Sequence, residues 1–290
     1  MQTIENPHAP VEIDLLMEGP SLSEGIPLPV MVRALGDIQN IADKAYLVLS
    51  NRGRIAANDR KIFYLESRGI QHGSLSATLG IVVAGVQPML PIISDLGPTG
   101  IWERTKEAFN LLKLVFSSKK AGMDVKISEV SGGMVNVNTG TQNITFSGPV
   151  LQIAKNALPH YEDLARLLEP QNINTIRLGR DGRADIELKE NDRLLFDLPH
   201  EVQEDVRTLE CEIYEFDKYE KQGRINVRAG QQIEKGEYKF NVVGGQESSE
   251  YIEAMLHRQV RVICHEEIVD HPLLGRKIAR LQVIKVAVVE

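Results

Sequence analysis

The sequence predicts an α+β protein: an N-terminal mixed α/β region with two long amphipathic helices and short antiparallel strands, then a small C-terminal β-barrel. Three observations carry this. Two stretches repeat apolar residues at steps of three and four, the period of a helix with one buried face. Short runs around them alternate apolar and polar residues, the period of a strand. Beyond residue 206 the elements follow the order strand, strand, strand, helix, strand, strand.

Taken in order, the first strand spans 11–17, where Val11, Ile13 and Leu15 alternate with Glu12 and Asp14. Pro27 and Pro29 suit a helix start, where a missing N–H costs nothing. The following stripe, Met31, Leu35, Ile38, Ala42, Ala45 and Leu49, makes one face, and Asn51 and Gly53 end it. Strands are expected at 61–66 and 74–83, joined through Gly69 and Gly73. No charged residue occurs in 69–94, but Ser74, Ser76 and Thr78 alternate with Leu75, Ala77 and Leu79, and Pro88 and Pro91 interrupt any helix. A buried strand and turn is therefore expected there rather than a membrane span.

A second helix is expected at 101–116, with Ile101, Thr105, Ala108, Leu112 and Val115 in line and Trp102, Phe109 and Phe116 widening the face. Such a ring-bearing stripe is core or a seam for a partner helix rather than a cofactor box. Strands at 125–130, 134–137 and 143–146 follow, with Gly132 and Gly133 turning the first hairpin. A helical stretch at 148–168 is expected to break or kink before Pro159. Strands at 173–178 and 184–188 flank Asp181-Gly182, a strong hairpin signal because both residues tolerate positive φ.

This divides the chain into an N-terminal domain (1–198, with possible subregions 1–122 and 123–198), a polar linker (199–206) and a barrel (207–290). The barrel strands are expected at 209–216, 224–228, 238–243, 259–264 and 277–288, with a short helix ending near Leu256. Five strands with a helix between the third and fourth is the OB topology. Parity turns Ile225, Val227, Tyr238, Phe240 and Val242 inward and leaves Arg224, Asn226, Arg228, Lys239 and Asn241 outside. Tyr214 and Phe216 have the outward parity of their strand unless a bulge returns them to the core.

Composition narrows function. Of 290 residues, 42% are hydrophobic and 25% charged, ordinary values for a globular protein. The formal charge of −7 argues against a whole-surface attraction to nucleic acid or anionic lipid. Two cysteines, Cys211 and Cys264, exclude a disulfide scaffold and are expected to be buried thiols. The first ten residues lack an apolar run, so no signal peptide is expected and the natural setting is cytoplasmic.

Candidate ligand or phosphate contacts are Arg224, Arg228, Lys239, Arg276, Lys277 and Arg280, on or beside the barrel strands. Weak metal candidates are His265, Glu267 and His271, which lack the further ligands a zinc site needs. Weak catalytic candidates are Asp185, Glu187 and Lys189, whose strand spacing would put carboxylates and a lysine on one side. Asp124 and Lys126 show the same spacing, so the pattern is cheap. There is no nucleophile elbow, no phosphate-cradling loop and no dinucleotide fingerprint. No cofactor is expected. The expected role is a non-enzymatic binding or assembly protein acting through protein contacts and self-association. The alternatives are nucleic-acid binding through the barrel and, after that, a metal-dependent hydrolase or nuclease.

Overall fold

The structure, a computed structural model, describes residues 10–71, 75–83, 91–130, 134–140 and 142–289. Its helices and strands are those of an α+β protein, and the chain separates into two compact units, Met1–Asp197 and Leu198–Glu290. The expected turns at Gly73, Pro88, Gly132 and Gly133, and the N-terminal segment 1–9, lie outside the described residues.

The first unit is built on an antiparallel sheet. In chain order come β1 (Val11–Glu18), α1 (Leu28–Leu49), β2 (Phe63–Gln71), β3 (Leu75–Val83) and α2 (Pro91–Lys120). Then follow β4 (Lys126–Val130), β5 (Met134–Asn138), β6 (Asn143–Ser147), α3 (Gly148–Arg166), β7 (Thr175–Arg180) and β8 (Arg183–Lys189). The main sheet has the order β2-β3-β1-β7-β8, and β4-β5-β6 form a second, smaller sheet. Because β1 pairs with β7, the main sheet draws on both sides of residue 122.

Alternation does what the sequence implied for β1: Val11, Ile13, Leu15 and Met17 are buried, while Glu12 and Asp14 face water. The three helices pack on one another and cover the buried face. Both helical stripes are spent inside this core. Trp102, Phe109 and Phe116 are buried, with Phe109 5.4 Å from the Tyr161 ring and Phe116 5.2 Å from Phe196. No ring of that stripe is left for a partner helix. On α1 the buried residues include Ala34, Ile38, Ile41, Ala42, Ala45, Tyr46 and Leu49, whereas the expected first positions Met31 and Leu35 are only half-buried.

Two local differences have clear causes. The expected break before Pro159 is not there, and α3 continues unbroken to Arg166. Proline removes one backbone donor, but Ala157, Leu158, Tyr161, Leu164 and Ala165 are buried on either side and hold the helix by packing. In α2 the break falls at Gly97, which has φ 58°, followed by Pro98. No helix among the described residues is long and apolar enough to cross a membrane.

The second unit contains β9 (His200–Asp217), β10 (Gln222–Val227), β11 (Gly236–Val242), α4 (Ser248–Ala254), β12 (Val260–His271) and β13 (Gly275–Val288). The five strands close on themselves in the order β10-β11-β13-β12-β9. All neighbours are antiparallel except β11 and β13, which run parallel. Leu209, Cys211, Ile225, Phe240, Val262, Cys264 and Leu281 fill the interior, and α4 adds Tyr251.

The stretch expected to be a linker is strand instead: residues 200–206 belong to β9, whose first third pairs with β12. A bulge then decides the fate of two rings. Glu215 pairs with Arg224 and Ile213 with Ile225, so Tyr214 is the extra residue and remains exposed, while Phe216 turns inward. Phe216 stacks on Tyr251 at 5.1 Å and on Phe240 at 6.1 Å.

Candidate anion-binding site

On the outer face of the ring, the β10–β11 register sets Arg224 directly opposite Lys239 and Gln222 opposite Asn241. The same face of β13 supplies Arg280. These side chains line a pocket of about 290 Å³ with Glu215 and Asp217. Its floor is Phe240 and the backbone of Gly223. A Cβ on Gly223 would stand 2.2 Å from the Glu215 carbonyl oxygen and 2.7 Å from the Phe240 ring, so only glycine lets β9 and β10 approach here.

The charges are unevenly matched. Like charges directly opposite on a sheet repel. Arg224 is relieved by Glu215, Nε to Oε2 at 3.2 Å. Among the described residues Lys239 has no such ion-pair partner. Oriented by its neighbours, the Asn241 amide accepts from Arg280 Nη1 at 2.9 Å and donates to the Phe240 carbonyl at 3.1 Å. Arg280 Nε lies 3.5 Å from Glu267 Oε1.

Glu267 is held from behind by Gln282 (3.0 Å) and by His200 Nδ1 (2.5 Å). Burial pushes its carboxyl up, but the hydrogen bonds from Gln282 and His200 and the charge of Arg280 outweigh that and keep it below its ordinary range. Glu267 is therefore a fixed anion that orients Arg280.

Of the six nominated cations, Arg224, Lys239 and Arg280 converge at this pocket. Arg228 instead binds Gln259 and the Arg258 carbonyl, Arg276 binds Gln203, and Lys277 is exposed away from the lining. Sequence reasoning missed the carboxylates Glu215 and Asp217 and the part played by His200. The last could not be found locally, because His200 and Glu267 lie far apart in the chain.

The metal candidates do not gather. His271 Nδ1 accepts the backbone N–H groups of Leu273 and Leu274 and so closes the β12–β13 turn. Glu267 is occupied as above, and His265 Nδ1 has no hydrogen-bond partner among the described residues. No group of three or more His, Cys, Asp or Glu suited to a metal ion occurs among them.

The catalytic candidates are divided by a bulge between β7 and β8, which leaves Asp185 unpaired. Asp185 accepts from the Trp102 indole at 2.9 Å, on the helix side. Glu187 faces the open side, bonded to Arg177 at 2.7 Å and paired with Lys189 at 3.0 Å. Those two cations hold its carboxyl below the usual range, a poor setting for a general base.

No protein-family model matches this chain, and no curated protein or solved structure is significantly similar to it.

Proposed function

We propose that this chain is a non-enzymatic binding protein that works through protein contacts and self-association. In this reading its second unit is an OB-type barrel that grips an acidic segment of a partner. The ring order, the parallel β11–β13 pair and the helix between β11 and β12 support the OB assignment. The observation that carries the binding reading is the Arg224–Lys239 pair, two cations set face to face with Arg280 beside them. An arrangement that costs repulsion when empty is stabilised by an incoming anion.

An acidic protein segment suits the site better than a polyanionic backbone. The unit from Leu198 to Glu290 holds 13 Lys and Arg against 17 Asp and Glu, so the attraction is local. The pocket also carries Glu215, Asp217 and two amides, able to meet backbone N–H groups and mixed charge. A reducing, cytoplasmic setting agrees with Cys211 and Cys264, both buried and unpaired.

Titration of the full chain with a hexaglutamate peptide at low salt tests this. Binding that disappears in Lys239→Glu is expected; equal binding by both proteins would remove the assignment. One observation favours a second reading, nucleic-acid binding. Tyr219 is 83% exposed at the β9–β10 turn, two residues past Asp217, and offers a ring for base stacking. Oligonucleotide anisotropy that falls with salt and with Tyr219→Ala would favour that reading.

A further inference from the structure

We propose that β6 is a dimerisation edge, on which a second copy of this chain pairs its own β6 antiparallel about Thr145. This rests on the self-association part of the reading above and is independent of the barrel pocket.

Among the described residues the first unit has four sheet edges: β2 and β8 on the main sheet, β4 and β6 on the small one. Exposed edges invite pairing, and proteins blunt them with charge. Three of these edges carry charge: Glu66 and Arg68 on β2, Lys126 and Glu129 on β4, and Arg183, Asp185, Glu187 and Lys189 on β8. The fourth, Asn-Ile-Thr-Phe-Ser on β6, carries none, and it contains no proline. Among the described residues no strand pairs with its outer side.

The hydrogen-bond phase of β6 fixes how it can pair. Thr139 N–H donates to the Gln142 carbonyl at 3.0 Å, so the pair 139/142 is hydrogen-bonded. Antiparallel ladders alternate bonded and non-bonded pairs. With the register Asn138↔Asn143, Val137↔Ile144, Asn136↔Thr145, Val135↔Phe146 and Met134↔Ser147, the bonded residues of β6 are Ile144 and Phe146. Asn143 and Thr145 therefore turn their N–H and C=O groups outward to the free edge, and Ser147 its N–H, since its carbonyl caps the start of α3.

Those three residues are spaced for a two-fold axis through Thr145. Thr145 meets its own copy in a bonded pair, and on each side the Ser147 N–H meets the Asn143 carbonyl of the copy, giving four backbone hydrogen bonds by this geometry. The side chains agree with that register. Ile144 lies opposite Phe146 of the copy, an aliphatic–aromatic pair, and Thr145 opposite Thr145, both favourable cross-strand combinations. Ile144 is 37% exposed at this edge. It shares a face with buried Val135 and Val137, so a copy's Phe146 would extend an apolar surface already packed. A peptide of unrelated sequence would satisfy the backbone but not this side-chain register. An interface this small gives a weak dimer, with Kd on the order of micromolar.

Sedimentation equilibrium of the full chain at about 5 to 100 μM tests the proposal, the range being set by that expected affinity. The mass is expected to rise with concentration toward twice the 32.4 kDa of the chain. Thr145→Pro removes an outward N–H and no bond to β5, so the variant is expected to keep its circular dichroism and sediment as a monomer. Thr145→Cys is expected to oxidise to a cross-linked dimer, since bonded antiparallel neighbours have Cα atoms about 5.5 Å apart, within disulfide reach. Ile144→Cys, facing residue 146 of the copy, is expected not to cross-link. A wild-type monomer throughout the range, or a dimer that survives Thr145→Pro, overturns the proposal. Lys239→Glu is expected to leave the dimer intact, which separates loss of this interface from loss of the barrel reading.

Discussion

The His200 imidazole and the Glu267 carboxylate meet at 2.5 Å, joining the first residue of β9 to the middle of β12. This contact and the Gln282 bond anchor the end of the ring that carries Arg280. A carboxyl held below its unfolded value of 4.5 contributes stability that is present above that value and is lost as pH falls through the folded value. Acid is therefore expected to loosen the second unit below about pH 4.5. Glu267→Gln is expected to lower the melting temperature at pH 7 and to flatten its decline toward pH 3.5. Thermal melts of both proteins across that range check this, and parallel pH profiles would count against it.

Asp37 on α1 behaves in the opposite sense. It is 7% exposed, its Oδ1 contacts His160 Nδ1 at 3.2 Å, and its Oδ2 has no hydrogen-bond partner among the described residues. Burial pushes its carboxyl up; the His160 hydrogen bond and Arg33 pull it down, Asp163 pushes it up again, and the net direction is upward. A raised carboxyl costs stability once pH exceeds the unfolded value, because the folded state disfavours the charge. Asp37→Asn is expected to raise the midpoint of urea unfolding at pH 7 and to have little effect near pH 3. A destabilised variant at pH 7 would show that the charge is used.

The elements that could be read from sequence are those whose own core imposes a period. The α2 stripe from Ile101 to Phe116 and the alternation of β1 each reflect one buried face, and Asp181-Gly182 turns with φ of 53° and 73° as its chemistry requires. The first third of β9 could not be read, because its pattern is exposed or half-exposed throughout and no alternation marks it. Its partner is a distant strand. Arg224 and Lys239 followed from parity, while Asp185 escaped it because one bulge residue reverses the side on which a chain projects. Bulges leave little trace in composition.

Gly223 gives a direct handle on the pocket floor. Its substitution places a methyl group 2.2 Å from a backbone oxygen, which a side-chain rotation cannot relieve. Gly223→Ala is expected to destabilise the chain by about 1–3 kcal/mol, the usual cost of overpacking. Gly245→Ala, where nothing lies within 4 Å of the added carbon, serves as the control. Urea titration of the two variants side by side checks the difference. Equal stabilities would mean that β9 and β10 separate at no cost and that the pocket has no fixed floor.

The thiols provide a test of the ring interior. Cys211 and Cys264 are both fully buried, and burial is the largest cause lifting each thiol to about 12. The thiolate is the reactive species, so both barriers act together: little thiolate forms at pH 8, and reagent cannot reach it. Ellman's reagent is expected to find almost no thiol in the native protein at pH 8 and two per chain in guanidinium, matching the two cysteines of the sequence. The native rate should follow opening of the ring, rising in the destabilised Gly223→Ala variant and unchanged in Asp37→Asn. Rapid labelling of the native wild-type protein would show that the ring opens far more readily than its packed interior allows.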